Sequence, residues 1–143
     1  MHTIKVSPKL TVAAQPELSE FPAIAQDGYV LVINNRPDGE DPTQPGTEAE
    51  AEAAGQHKLA YLHLPVGGAP LTEADIRAFQ NAVETASGPV LAHCRSGTRS
   101  LNVWVIGEVL DGRMLAEQVV PFGREVGIDM RGAEAWLSFQ RQE

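Results

Sequence analysis

Residues 88–100 read Gly88-Pro89-Val90-Leu91-Ala92-His93-Cys94-Arg95-Ser96-Gly97-Thr98-Arg99-Ser100, and Cys94 is the only cysteine in the chain. The apolar run before it is a predicted strand. The segment from Ser100 to Leu110 carries apolar residues on nearly every face and is a predicted buried helix. Strand, tight loop and helix in that order aim backbone N–H groups and the positive end of the helix at the sulfur, and the same groups can hold an anion in front of it. A thiol attacks as its thiolate, which helix N-terminal N–H groups and nearby arginines stabilise. Gly97 lets the loop turn tightly. Arg99 can grip an oxyanion through two parallel N–H bonds, where a lysine offers only a point charge. The expected catalytic set is Cys94 as nucleophile, Arg99, and Ser100 donating its hydroxyl to the sulfur. Arg95, Ser96, Gly97, Thr98 and Arg99 form the expected anion-binding stretch, and His93 orients the loop through its backbone. A lone cysteine closing a strand is ordinarily an inert core residue; the six residues after this one argue for chemistry.

Working outward, Tyr29-Val30-Leu31-Val32-Ile33 is a continuous apolar run of the kind that forms a buried parallel strand. Lys58 to Leu64 is another strand, and residues 2–13 alternate as one or two short edge strands around Ser7-Pro8. Helical spacing marks Glu17 to Gln26, Thr47 to Ala54 with Gly55 as its stop, and a segment capped by Thr72 that carries Ile76, Phe79, Val83 and Ala86 on one face. Met114 to about Val126, interrupted at Pro121, and Gly132 to Gln140 are further helices. Glu48, Glu50 and Glu52 are assigned to a solvated helix face. Alternating strand and helix implies an α/β fold, a mostly parallel central sheet flanked by helices, with residues 1–143 as one domain and no internal repeat. In such sheets the working site lies at the carboxyl ends of the strands. Asn34 to Asp41, Pro65 to Pro70 and the cysteine loop should therefore meet, and Asn34 to Thr47 is long enough to be functional.

Composition narrows the partners. The chain has 143 residues, 43% hydrophobic and 21% charged, as expected of a globular domain. Its net charge of −8 argues against nucleic acid or an anionic membrane surface, and makes Arg95 and Arg99 a local positive site in an acidic protein. No run is long enough to span a bilayer, and Met1 to Lys5 lacks the apolar core of a secretory leader. One cysteine excludes an intrachain disulfide and fits a reducing compartment, so a cytoplasmic location is expected. His2, His57, His63 and His93 show no metal-ligand spacing, and neither a metal nor a cofactor is expected. Arg36, Asp38 and Glu40 are either a local ion-paired turn or part of the pocket rim.

The run His93 to Ser100 resembles the signature loop His-Cys-x-x-Gly-x-x-Arg-Ser/Thr of cysteine-dependent protein phosphatases. Ile4 to Pro16, Val32 to Glu40, Tyr61 to Val66 and Pro89 to Trp104 are similar to the beta-lactamase hydrolase-like family, small bacterial domains also described as sulfurtransferases. The resemblance implies a dual-specificity-phosphatase-like fold and places Arg36, Asp38 and Glu40 at the pocket rim.

Two departures from the phosphatase pattern bear on the reaction. Four residues separate Cys94 from Arg99, one fewer than in the phosphatase signature, and the spacing is similar to that of single-domain rhodaneses, whose shorter cradle suits a sulfane sulfur. Val66-Gly67-Gly68-Ala69-Pro70, where such phosphatases carry an aspartic general acid, has no carboxylate. Glu73 and Asp75 belong to a helix start, while Asp38 and Glu40 could substitute. The leading expectation is therefore a sulfurtransferase working through a Cys94 persulfide, with thiosulfate or a small persulfide as donor and an external thiol as acceptor. The alternative is a tyrosine- or dual-specificity-type phosphatase acting on a phosphate ester through a phosphocysteine. A further alternative is a non-catalytic anion-binding or redox-sensing module.

Overall fold

The computed structural model describes residues 2–141. Five strands, β1 (Thr3–Lys5), β2 (Leu10–Ala13), β3 (Leu31–Asn34), β4 (Ala60–His63) and β5 (Val90–His93), form one sheet in the order β1-β2-β5-β3-β4. β1 pairs antiparallel with β2, and every other pairing is parallel. Of the two strands expected at an edge, only β1 is one; β2 is fully buried beside β5.

Six α-helices accompany the strands: α1 (Phe21–Gln26), α2 (Thr47–Gln56) and α3 (Glu73–Thr85) lie between strands, and α4 (Thr98–Leu110), α5 (Val119–Val126) and α6 (Arg131–Arg141) follow β5. The strand side chains alternate between two cores, as a pleated sheet requires. Leu31, Ile33, Val90 and Ala92 pack with Phe79 of α3, with Leu101 and Ile106 of α4, and with Leu137 of α6. Val32 and Leu91 face the other way, onto Phe21, Ile24 and Ala54. Helices on both faces of a mostly parallel sheet are the α/β arrangement expected.

Some boundaries differ for physical reasons. α4 begins at Thr98 rather than Ser100, because Gly97 adopts the left-handed conformation and serves as its N-cap. Pro121 does not interrupt the segment it occupies; it sits in the first turn of α5, where its missing N–H costs nothing. α2 is capped at Gly46 rather than Thr47, and the acceptor at its start comes from far along the loop. Asp38 Oδ1 accepts from both Thr47 N–H and Thr47 Oγ at 2.9 Å.

Candidate active site

β5 ends at His93, and the chain then turns through residues 94–97 into α4. The carboxyl ends of its neighbours hold this turn. Gln15 N–H donates to Arg95 O at 3.0 Å, Asn35 N–H to His93 O at 2.7 Å, and Val66 N–H to Asn35 O at 2.8 Å. The segments after β2, β3, β4 and β5 thus converge. Asn35 ties three of them together, since its side chain also donates to Leu64 O and accepts from Ser100 Oγ at 2.8 Å.

Cys94 is buried, and Gly97 N–H donates to its Sγ at 3.1 Å. Gly97 has φ of +95°, a value a residue with Cβ rarely adopts, and this turns its N–H onto the sulfur. The N–H groups of Arg95, Ser96, Thr98, Arg99 and Ser100 have no backbone acceptor among the described residues. Those of Thr98, Arg99 and Ser100 are the unpaired donors of the first turn of α4. Arg95 and Ser96 are exposed, and Ser96 Oγ donates to Thr98 Oγ.

Arg99 is fixed on one side. Its Nη1 donates to Glu40 Oε2 at 2.5 Å and to Val66 O at 3.0 Å, and its Nη2 to Glu40 Oε1 at 2.8 Å. A guanidinium has five N–H donors. Three are taken here, which leaves Nε–H and the second Nη2–H on the adjacent edge. The charge and hydrogen-bonding influence of Cys94 reaches Arg99, so the two lie side by side. The Arg99 guanidinium is the main cause that holds Glu40 down at about 2, with Arg36 contributing.

The rim residues separate into different jobs. Arg36 is buried and donates from Nε to Glu40 and from Nη1 to Gln15 Oε1, so Arg36 and Glu40 do belong together beside Arg99. Asp38 does not; it caps α2. Glu40, held at about 2, is ionised at neutral pH and has no proton to give. Asp41 lies close enough to Arg36 and Arg95 to feel their charge, but Thr43 donors hold it below the ordinary carboxylate range. Asp75 closes a capping box with Thr72. Ser100 Oγ donates to Asn35, not to the sulfur, because burial against Asn35 Oδ1 offers it a stronger acceptor.

His93 is completely buried, with Nε2 2.7 Å from Glu50 Oε1 and Nδ1 3.2 Å from Cys94 O. Glu50 is the residue the sequence reading misplaced. It is buried while Glu48 and Glu52 are exposed, and the signal available was Ala54 one turn later on the same helix face. Arg99, Thr98, Val66, Leu71, Ile106 and Trp136 are among the residues lining a cleft of about 300 Å³. No three His, Cys, Asp or Glu residues among those described could share a metal ion. No described helix is long and apolar enough to cross a membrane.

This arrangement presents backbone and guanidinium N–H donors to an anion beside the Cys94 sulfur. A beta-lactamase hydrolase-like protein of Agrobacterium fabrum is 45% identical over 140 residues, 98% of this chain and 32% of the relative. One from Xylella fastidiosa is 46% identical over the same span. The chain thus spans about a third of the length of these curated relatives. A Neisseria meningitidis protein described as a candidate phosphatase superposes with a TM-score of 0.81 at 27% identity over 94% of both chains. Pseudomonas aeruginosa TpbA, solved also with phosphotyrosine bound, shares the fold at 18% identity and a TM-score of 0.63, over 95% of this chain and 90% of its own. The fold is that of the tyrosine and dual-specificity phosphatases. Residues 3–111 match the family model of the beta-lactamase hydrolase-like protein, phosphatase-like domain, and the chain belongs to that family.

Proposed function

We propose that the chain is a cysteine-dependent phosphatase acting through a phosphocysteine, with Cys94 as nucleophile and Arg99 as the phosphate clamp. The observation that carries this is the number of donors around the sulfur. Five N–H groups in the stretch after Cys94 have no backbone acceptor among the described residues, and Arg99 keeps two N–H bonds not given to Glu40 or Val66. The short interval between Cys94 and Arg99 argued for a bowl too narrow for phosphate. The early start of α4 offsets the missing residue, because it brings three first-turn N–H groups to the mouth of the loop.

In the first step the Cys94 thiolate attacks phosphorus, forming the S–P bond as the ester P–O bond breaks and the alcohol departs. Water then attacks the phosphocysteine, releasing inorganic phosphate and the thiolate. The N–H groups of residues 95, 96 and 98–100 and the Arg99 edge hold the equatorial oxygens, where charge is greatest in the transition state. With no carboxylate in Val66 to Pro70, the leaving group departs without a positioned acid. Such an acid is ordinarily worth about 10²–10⁴-fold. The favoured substrates are therefore monoesters of acidic alcohols, aryl phosphates above all, and the cleft beside Arg99 has room for an aromatic ring.

The missing acid also supports a second reading, sulfur transfer. There Cys94 would take the sulfane sulfur of thiosulfate as sulfite leaves, then pass it to an external thiol. Family membership and the phosphatase relatives favour phosphate. Phosphate release from p-nitrophenyl phosphate, abolished in Cys94→Ala and far slower with an alkyl phosphate, is expected. Turnover of thiosulfate to sulfite without phosphate release would reverse the order of the two readings. Rapid peroxide oxidation of Cys94 with neither activity would make the loop a redox-sensing module.

A further inference from the structure

Beyond residues 3–111, which match the family model, the chain returns to the cysteine loop. α6 packs on α4, and two polar ties hold it there. Asn102, one turn into α4, donates from Nδ2 to Thr98 O at 2.7 Å and to Asp129 O at 3.0 Å, and its Oδ1 accepts from Ala133 N–H at 2.8 Å. Trp136 Nε1 donates to Leu71 O at 2.8 Å, which ties α6 to the segment after β4. Gly132 lets the two helices approach, since a Cβ there would already touch Asn102 Oδ1 at 3.4 Å. These ties frame the cleft of about 300 Å³. Val66, Leu71, Val103, Ile106 and Trp136 give it apolar walls, and it shares Thr98 and Arg99 with the cysteine loop.

The polar side chains around this cleft are already committed. Asn102 gives both amide N–H bonds to carbonyls, and Trp136 gives its only one. Asp129 accepts from the backbone and guanidinium N–H groups of Arg131, and Thr98 Oγ accepts from Ser96 Oγ. Arg99 is the one cation among the described residues lining the cleft, and Glu40 holds its Nη1–Nη2 edge. A hydroxyl or a second phosphate entering here would give up its water without gaining a partner. Hydrocarbon meets no such penalty and gains from burial against aliphatic side chains and an indole. A cavity of about 150 Å³ accepts one benzene ring, so this cleft has room for about two.

We propose that this cleft is the subsite for the alcohol half of the ester, and that Trp136 and Leu71 make it selective for uncharged two-ring aryl alcohols. The proposal rests on the phosphatase reading and narrows its substrate class. Bulk beyond a single ring is favoured, while nucleotides, sugar phosphates and polyol phosphates, whose alcohols carry hydroxyls or further phosphates, are disfavoured. Trp136 acts on specificity alone: it touches neither the sulfur nor the phosphoryl group. The anion loop is built by β5 and α4, and the selecting wall by α6, so the two can vary independently.

The test is calorimetric binding of methylphosphonate, benzylphosphonate and 2-naphthylmethylphosphonate to the full chain. Their C–P bond is not an ester, so no turnover is needed. The naphthyl compound should bind about tenfold tighter than the benzyl one, from the four added ring carbons buried in the cleft. Trp136→Ala should cut that ratio to below about threefold while leaving methylphosphonate affinity unchanged, and Trp136→Phe should keep most of it. Should Trp136→Ala fail to fold, the parent still decides: the Trp136 indole N–H resonance should move with the naphthyl compound and stay put with methylphosphonate. Equal affinities for the benzyl and naphthyl compounds would overturn the inference and leave the phosphatase reading standing. So would a naphthyl preference that Trp136→Ala does not reduce. Binding of none of the three would sink the phosphatase reading, and this inference with it.

Discussion

Replacing Glu40 by Gln asks whether that carboxylate supports Arg99 or competes for it. The bond inventory gives a definite sign. Glu40 occupies the Nη1–Nη2 edge of Arg99, so an anion gripped by the Nε–Nη2 edge would leave that contact intact. Gln keeps the shape but removes the charge and turns an amide N–H toward the guanidinium. Hydrogen bonds to a charged group are worth about 1.5–3 kcal/mol, and the Glu40 side chain is 31% exposed, which discounts that for screening. The remaining ~1–2 kcal/mol corresponds to a loss of roughly 5–30-fold in kcat/KM on an aryl phosphate, with vanadate inhibition weakened in parallel. Glu40 is held at about 2, so the gap between variant and parent should stay constant from pH 7 down to 5. A gain in oxyanion affinity would refute the support role and make Glu40 an internal competitor. A gap that closes between pH 7 and 5 would mean that Glu40 takes up its proton in that range, so that Arg99 does not hold it down.

Other substitutions probe separate links. Glu40 lies lower in the folded chain than its ordinary 4.5, so its stabilisation is complete above that value and is lost as pH falls toward about 2; acid titration of Glu40→Gln should show a flatter decline there. Asp38→Ala removes the acceptor for Thr47 at the start of α2 and should cost about 1 kcal/mol, a fall in Tm of about 2–4 °C. Its kcat/KM should change less than about twofold, and a large loss would return Asp38 to the active site. Gly97→Ala forces a side chain into φ of +95°, costing about 1–2 kcal/mol, and should lower kcat as the N–H leaves the sulfur; an unchanged kcat would argue against that donor. Gly123→Ala drives a methyl into Met130 Cγ and Ile128 O and should lower urea stability by about 1–3 kcal/mol with an unchanged m-value.

The elements legible in the sequence were those with strong local signals. β3 and β5 follow from unbroken apolar runs, α3 from the Thr72 cap and the Ile76, Phe79, Val83 stripe, and the cysteine loop from its residue types. The long-range partners were not legible. Glu50 stands in an alternating Glu/Ala run that reads as a solvated face, and only the sheet register, with His93 and Tyr61 beneath it, makes the carboxylate a buried partner. The position of β2 inside the sheet, the cap from Asp38 nine residues before Thr47 and the grip of Glu40 on Arg99 across 59 residues are likewise set by topology rather than by local pattern. The loop spacing was read correctly, but the sulfur transfer it pointed to is not supported by the family match and the phosphatase-like neighbours.

The most direct test is intact-mass analysis of the protein quenched in acid during turnover, with p-nitrophenyl phosphate and with thiosulfate in parallel. The account predicts a phosphoryl adduct on Cys94 from the ester, absent in Cys94→Ala, and accumulating if hydrolysis is the slower step. A persulfide on Cys94 from thiosulfate, with no phosphoryl adduct and no phosphate release from the ester, would contradict it.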